Sequence, residues 1–267
     1  LCHSESIFNA NLIFPCLNAV TAFLMDSNKN NIDNINDDMK VYFVPGEEQL
    51  VAMTKQLQRI GSKHDDRYKY NADGIVRLEN KSNLETMILE TSDNLGNNDN
   101  TKISFDLHKS MFGLLAMMKT IADKHEYATL DSFKKLKLYV IHASEYKCRI
   151  WSLSYKKENV FIFCRDDKVV INQNFSEKED HLLPIVSFFG NLKEKLMGTI
   201  NQLNVLQSER KNIKRNFRYE SNTTPILLSK IINPTILRLT QNSDAKGLGD
   251  ELPGSSPGYF DEYYNDE

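Results

Sequence analysis

Apolar and polar residues alternate at period two over Tyr70–Leu78 and again over Leu84–Ser92, which predicts two short strands. In the first strand Ala72, Gly74, Val76 and Leu78 share one face, and Asp73, Ile75 and Arg77 share the other. In the second, Met87, Leu89 and Thr91 lie opposite Thr86, Ile88 and Glu90. The link Glu79–Asn83 is polar and turn-rich, so the two strands are expected to form a hairpin. That pairing sets Asp73, near the start of one strand, beside Glu90, near the end of the other. Two carboxylates within apolar runs are costly to bury unpaired, and they call for a cation, a proton or a neighbour.

The remaining pattern predicts elements on both sides of this hairpin. Residues 4–25 have helical spacing, with Ser4 as N-cap, Glu5 in the first turn, and a kink or break at Pro15. Val41–Val44 reads as a strand, turned by Pro45-Gly46 into a helix over Glu47–Ile60. Ser104 is expected to cap a helix reaching about His125, whose apolar arc is Met111, Leu114, Leu115, Met118, Ile121 and Ala122. Leu136–Ala143, Cys148–Tyr155 and Val160–Arg165 form an antiparallel run, with a further short strand over Val169–Ile171. A long helix follows over 178–215. Polar loops are expected at 26–40, 62–69 and 94–100. The expected organisation is one α/β domain over 1–218, a mixed sheet flanked by helices, and then a mostly disordered acidic-aromatic tail over 219–267. Within that tail an apolar patch, Pro225–Leu239, is a candidate to dock on the domain.

Composition changes this picture little. A net charge of −3 over 267 residues advertises no general affinity for nucleic acid, so any basic surface must be local. One such run is Ser208–Arg218, which reads as a phosphate-contacting patch, a nuclear-import signal or a solvated helix end. Apolar runs fall short of the roughly 18 residues that span a bilayer, so no membrane partner is expected. Cys2, Cys16, Cys148 and Cys164 form no CxxC pair and accompany no histidine cluster, which argues against zinc and for a reduced, intracellular setting, nuclear or cytoplasmic. A Cys148–Cys164 link across a hairpin stays open. His142 is the one histidine of these strands that could line a site, with a structural role the plainer reading, and Trp151 reads as a core or interface residue rather than a base-stacking platform. The chain does not open on methionine, so its start, with any targeting signal, is expected to be missing.

A paired aspartate and glutamate suit Mg²⁺, which takes one or two carboxylates, keeps several waters and leaves room for a phosphate. Ala72-Asp73 on one strand and Glu90-Thr91-Ser92 on the next resemble the Pro-Asp and Glu-x-Lys of the PD-(D/E)XK nuclease superfamily. The likeness, over residues 4–210, is to its uncharacterised fungal-type members, which show a leading helix with a Glu, the Asp/Glu hairpin, a helix, and antiparallel strands ending in another helix. It implies a restriction-endonuclease-like core, with Asp73 and Glu90 as catalytic metal ligands, Glu5 joining them, Mg²⁺ as cofactor and DNA as partner. Ser92 stands where the family has its lysine, and it has no charge to offer there. Lys119, on the flank of the apolar arc, is the candidate replacement; Lys109, beside Gly113 and Ala116, is the weaker one. The plainer readings are a favourable first-turn acid for Glu5 and a snorkelling side chain for Lys119. The expectation is therefore a nuclease-like domain whose hydrolysis is lost or rearranged, with loss favoured. The alternative is a non-catalytic binding or scaffold module that holds a protein partner through the helix 178–215 or the tail.

Overall fold

The computed structural model describes residues 4–29, 40–59, 69–92, 99–171, 178–217, 226–237 and 239. Its leading elements are α1 (Glu5–Phe8), a π-helical turn (Asn9–Ile13), α2 (Phe14–Lys29), β1 (Val41–Gln49) and α3 (Val51–Arg59). The hairpin is β2 (Asn71–Leu78) and β3 (Leu84–Thr91), followed by α4 (Asn100–Lys124) and α5 (Leu130–Phe133). Then come β4 (Lys137–Ser144), β5 (Lys147–Lys157), β6 (Val160–Val170), α6 (Lys178–Phe217) and α7 (Leu228–Ile231). The six strands make one sheet in sequence order. β1, β2 and β3 are antiparallel neighbours, β3 and β4 run parallel after the chain crosses over through α4, and β4, β5 and β6 are antiparallel again. The α/β class and the mixed sheet flanked by helices are thus observed.

Every residue of β3 is buried, because helices cover both faces of the sheet at that strand. On one face α4 packs so closely that a Cβ on Gly113 would stand 2.8 Å from Ile88 Cδ1. By strand alternation this is also the face of Glu90. On the other face the hydroxyl of Thr91 donates to Asn9 Oδ1 of the N-terminal helix at 2.9 Å. There α2 packs against β1 and α6.

Several boundaries differ from expectation for identifiable reasons. β1 does not turn at Pro45-Gly46 but continues to Gln49 through a bulge, tolerable because β1 is the sheet edge. The helix after it begins at Val51, where Glu85 accepts the N–H groups of Val51 and Ala52, each at 2.8 Å. Pro15 does not break the first helix. Phe14 N–H donates to Asn9 O, five residues back, and this wide turn just ahead of Pro15 absorbs the missing donor. Asp99, not Ser104, caps α4 by accepting from the Thr101 and Lys102 N–H groups. β6 is one strand rather than two.

The apolar patch near the C-terminus does dock. Leu228, Ile232 and Ile236 are buried, and Leu228 N–H donates to Glu126 O at 2.8 Å, so packing continues past residue 218. Most of the loop residues expected at 26–40, 62–69 and 94–100 lie outside the described residues, as does the segment from Gln241 to Glu267. Cys16, Cys148 and Cys164 are free, and the β5–β6 register pairs Cys148 with Val169 rather than with Cys164. Among the described residues one helix, Glu5–Asp26, is long and apolar enough to cross a membrane, with mean hydropathy 1.6, a property it shares with core helices.

Candidate functional site

The β2–β3 register pairs Gly74 with Leu89. One step further, Asp73 stands opposite Glu90, on the same face of the sheet. Asp73 Oδ2 accepts the Thr91 N–H at 2.5 Å, which fixes its carboxylate against β3. Glu90 is buried and receives the Tyr70 hydroxyl at 3.1 Å. The ammonium of Lys109 lies 3.0 Å from the Glu90 carboxylate and 4.8 Å from the centroid of the Tyr70 ring. The lysine missing from β3 therefore has a counterpart, delivered by α4.

Burial dominates the electrostatics. It pushes Asp73 up to about 7, with the Glu5 charge adding to the shift. It pushes Glu90 up to about 8 against the pull of Lys109, while Asp73 and Asp106 raise it further. Burial works to lower the Lys109 pKa, yet the carboxylates around it, Glu90 foremost, raise it overall and keep the ammonium charged. Glu5 reaches this cluster from the start of α1 and is paired with Lys102 at 3.4 Å. Four acids, Glu5, Asp73, Glu90 and Asp106, thus face two lysines. The donors are hard carboxylate oxygens in excess of the cations beside them, which fits a divalent ion such as Mg²⁺ held by the pair and by water. Among the described residues no group of three or more His, Cys, Asp or Glu side chains is placed to hold a metal ion.

Ser92 is occupied by a different task. Its hydroxyl donates to Asp106 Oδ2 at 2.8 Å and lies 2.8 Å from His142 Nε2. A hydroxyl has one hydrogen, so Nε2 of His142 must carry the proton of the second bond. Burial, with the charge of Arg149, pushes His142 down to about 3, which keeps it neutral. The hydroxyl sits between acid and imidazole, not at the end of a relay, so this trio lacks the order that activates a nucleophile.

Lys119 lies elsewhere. It pairs with Asp123 at 3.0 Å and donates to the Ser229 carbonyl in α7. Ten residues of helix separate it from Lys109, about 15 Å along the axis. Its place on the flank of the arc faces α7, which docks there, and not the acid pair. Lys109, the weaker of the two lysine candidates, and His142 belong to the site, and Asn9, Tyr70 and Asp106 complete it beyond the sequence reading. The sequence carried one signal for them: Gly113, one turn beyond Lys109, marks where α4 approaches the sheet.

Fold and site together define an α/β protein with a buried aspartate–glutamate pair at the end of a hairpin, countered by a helix lysine. No protein-family model matches the chain, and neither does any curated protein or solved structure.

Proposed function

We propose that this chain is a PD-(D/E)XK-type nuclease domain with a restriction-endonuclease-like core, in which Lys109 replaces the lysine absent at Ser92. Its substrate is the phosphodiester backbone of DNA. The observation that carries the reading is the 3.0 Å contact of the Lys109 ammonium with Glu90, at the strand end where Asp73 stands opposite. The element order supports it as well: a leading helix with Glu5, the acidic hairpin, a crossover helix, and antiparallel strands ending in α6.

Asp73 and Glu90 would hold Mg²⁺, with Glu5 the next carboxylate within electrostatic reach. When bound, that ion supplies Lewis-acid stabilisation and a more acidic water. The chain's own groups then have separate tasks. Thr91 N–H and Tyr70 O–H orient the two carboxylates. The Lys109 ammonium stabilises negative charge developing on the phosphate, in a site shielded from water. Both acids favour the proton near neutrality, so binding a cation releases protons.

One observation favours the non-catalytic alternative: Tyr70 and Lys109 already satisfy the Glu90 carboxylate from within the protein. Plasmid nicking with Mg²⁺ or Mn²⁺ separates the two. Native protein is expected to nick DNA, Glu90→Ala and Lys109→Met to lose about a hundredfold or more, and Lys119→Ala to keep its rate. Native protein that binds the metal and leaves the plasmid intact would make this a binding module.

A further inference from the structure

At the far end of the hairpin from the acid pair, α3, α4 and the β2–β3 turn border an open cavity of about 620 Å³. Lys55 and Arg59 of α3 and Lys124 of α4 stand around it, and Gln56 and Thr120 add amide and hydroxyl groups. Asp123 is the one acid in the lining, and it is already engaged by Arg59, by Gln56 and by Lys119. Leu84 is its one large apolar residue. Positive charge therefore exceeds negative, and the wall offers little to a greasy ligand. The imbalance extends outward: besides burial, Arg210 of α6 and Lys55 push the Lys124 pKa down to about 8. Arg210 Nε is buried with no hydrogen-bond partner among the described residues.

We propose that this cavity binds a di- or triphosphate group, free or carried on a nucleotide. An arginine fork and two lysine point charges are the usual means of holding phosphate oxygens, and a bound phosphate would draw Arg59 from Asp123 and Lys124 from the Lys81 carbonyl. The volume lies in the range of small-molecule sites, roughly 300–1,000 Å³. The glutamine amides, with Thr120 and Ser82, supply hydrogen bonds of the kind a sugar or base edge would use. The inference does not depend on the nuclease reading, since the acid pair lies at the opposite end of the sheet.

Calorimetric titration of the full chain in EDTA, with pyrophosphate, ATP and a short single-stranded oligonucleotide as probes, tests it. Chelation removes any phosphate binding that runs through a metal at Asp73 and Glu90. Pyrophosphate and ATP are expected to bind, and at least a tenfold loss is expected in Lys55→Ala/Arg59→Ala and in Lys124→Met. Lys55 and Arg59 are exposed, so that double variant should fold, which circular dichroism checks. Glu90→Gln should bind both as the native chain does. Tighter binding of ATP than of pyrophosphate assigns a nucleotide; equal affinity assigns the phosphate group alone. The proposal is overturned if neither probe binds, if the cavity variants keep native affinity, if Glu90→Gln is the variant that loses it, or if the oligonucleotide alone binds.

Discussion

At the scale of residues, Asp73 and Glu90 hold protons at a pH where ordinary carboxylates have lost them. Their folded pKa values, about 7 and about 8, lie above those of the unfolded chain, so each acid stabilises the fold while protonated. That contribution is complete below about pH 4 and is lost as pH rises through the folded values. The melting temperature of the native chain relative to Glu90→Gln, followed by calorimetry, should therefore fall between pH 5 and pH 8. The buried neutral His125 and His142 act in the opposite sense in both proteins and cancel in the difference. Saturating Mg²⁺ should flatten that difference, because a bound cation stabilises the ionised form. A native-minus-variant difference that rises through this range would refute the assignment. The acid pair was legible in the sequence because period-two alternation fixes which residues share a strand face. Lys109 ranked below Lys119 there, because ranking helix positions by their apolar neighbours favours the flank of the greasy arc, where Lys119 sits. Small residues one turn away indicate close approach to the sheet, and close approach is what a buried ammonium needs. Asp106, His142 and Asn9 find their partners on elements distant in sequence, and no local pattern reports such meetings.

At the scale of elements, α4 decides the site because its distance from the sheet sets whether Lys109 reaches Glu90. Gly113 permits that distance. A side chain there meets Ile88 Cδ1, Leu50 Cδ2 and the Tyr70 hydroxyl within 3.2 Å. Gly113→Val should destabilise the fold by about 1–3 kcal/mol in urea unfolding. It should also reduce cleavage more than stability, since the displaced helix carries Lys109 away. Helices and strands were mostly legible as elements, and their ends less so. β1 outran Pro45 because edge position excuses a proline, and edge position is a property of the assembled sheet. The first helix survived Pro15 because a π-helical turn costs less than a break when both flanks are packed.

At the scale of the whole molecule, the sheet is a three-layer arrangement in which α7 returns to cover α4 far from the chain's start. Ile232, fully buried just beyond α7, anchors that return. Ile232→Ala should cost about 2–5 kcal/mol by urea unfolding while leaving Lys109 beside Glu90, so cleavage per folded molecule should be unchanged. A loss below about 1 kcal/mol would mean the segment adds little to the domain.

The parallel pairing of β3 with β4 also has a kinetic meaning. The hairpin can zip locally in microseconds, whereas Ser92 meets His142 only after fifty residues of chain have closed through α4. Lys109, nineteen residues beyond Glu90, needs no such closure, so the acid pair and its lysine rest on short loops while the β3–β4 pairing closes the long one.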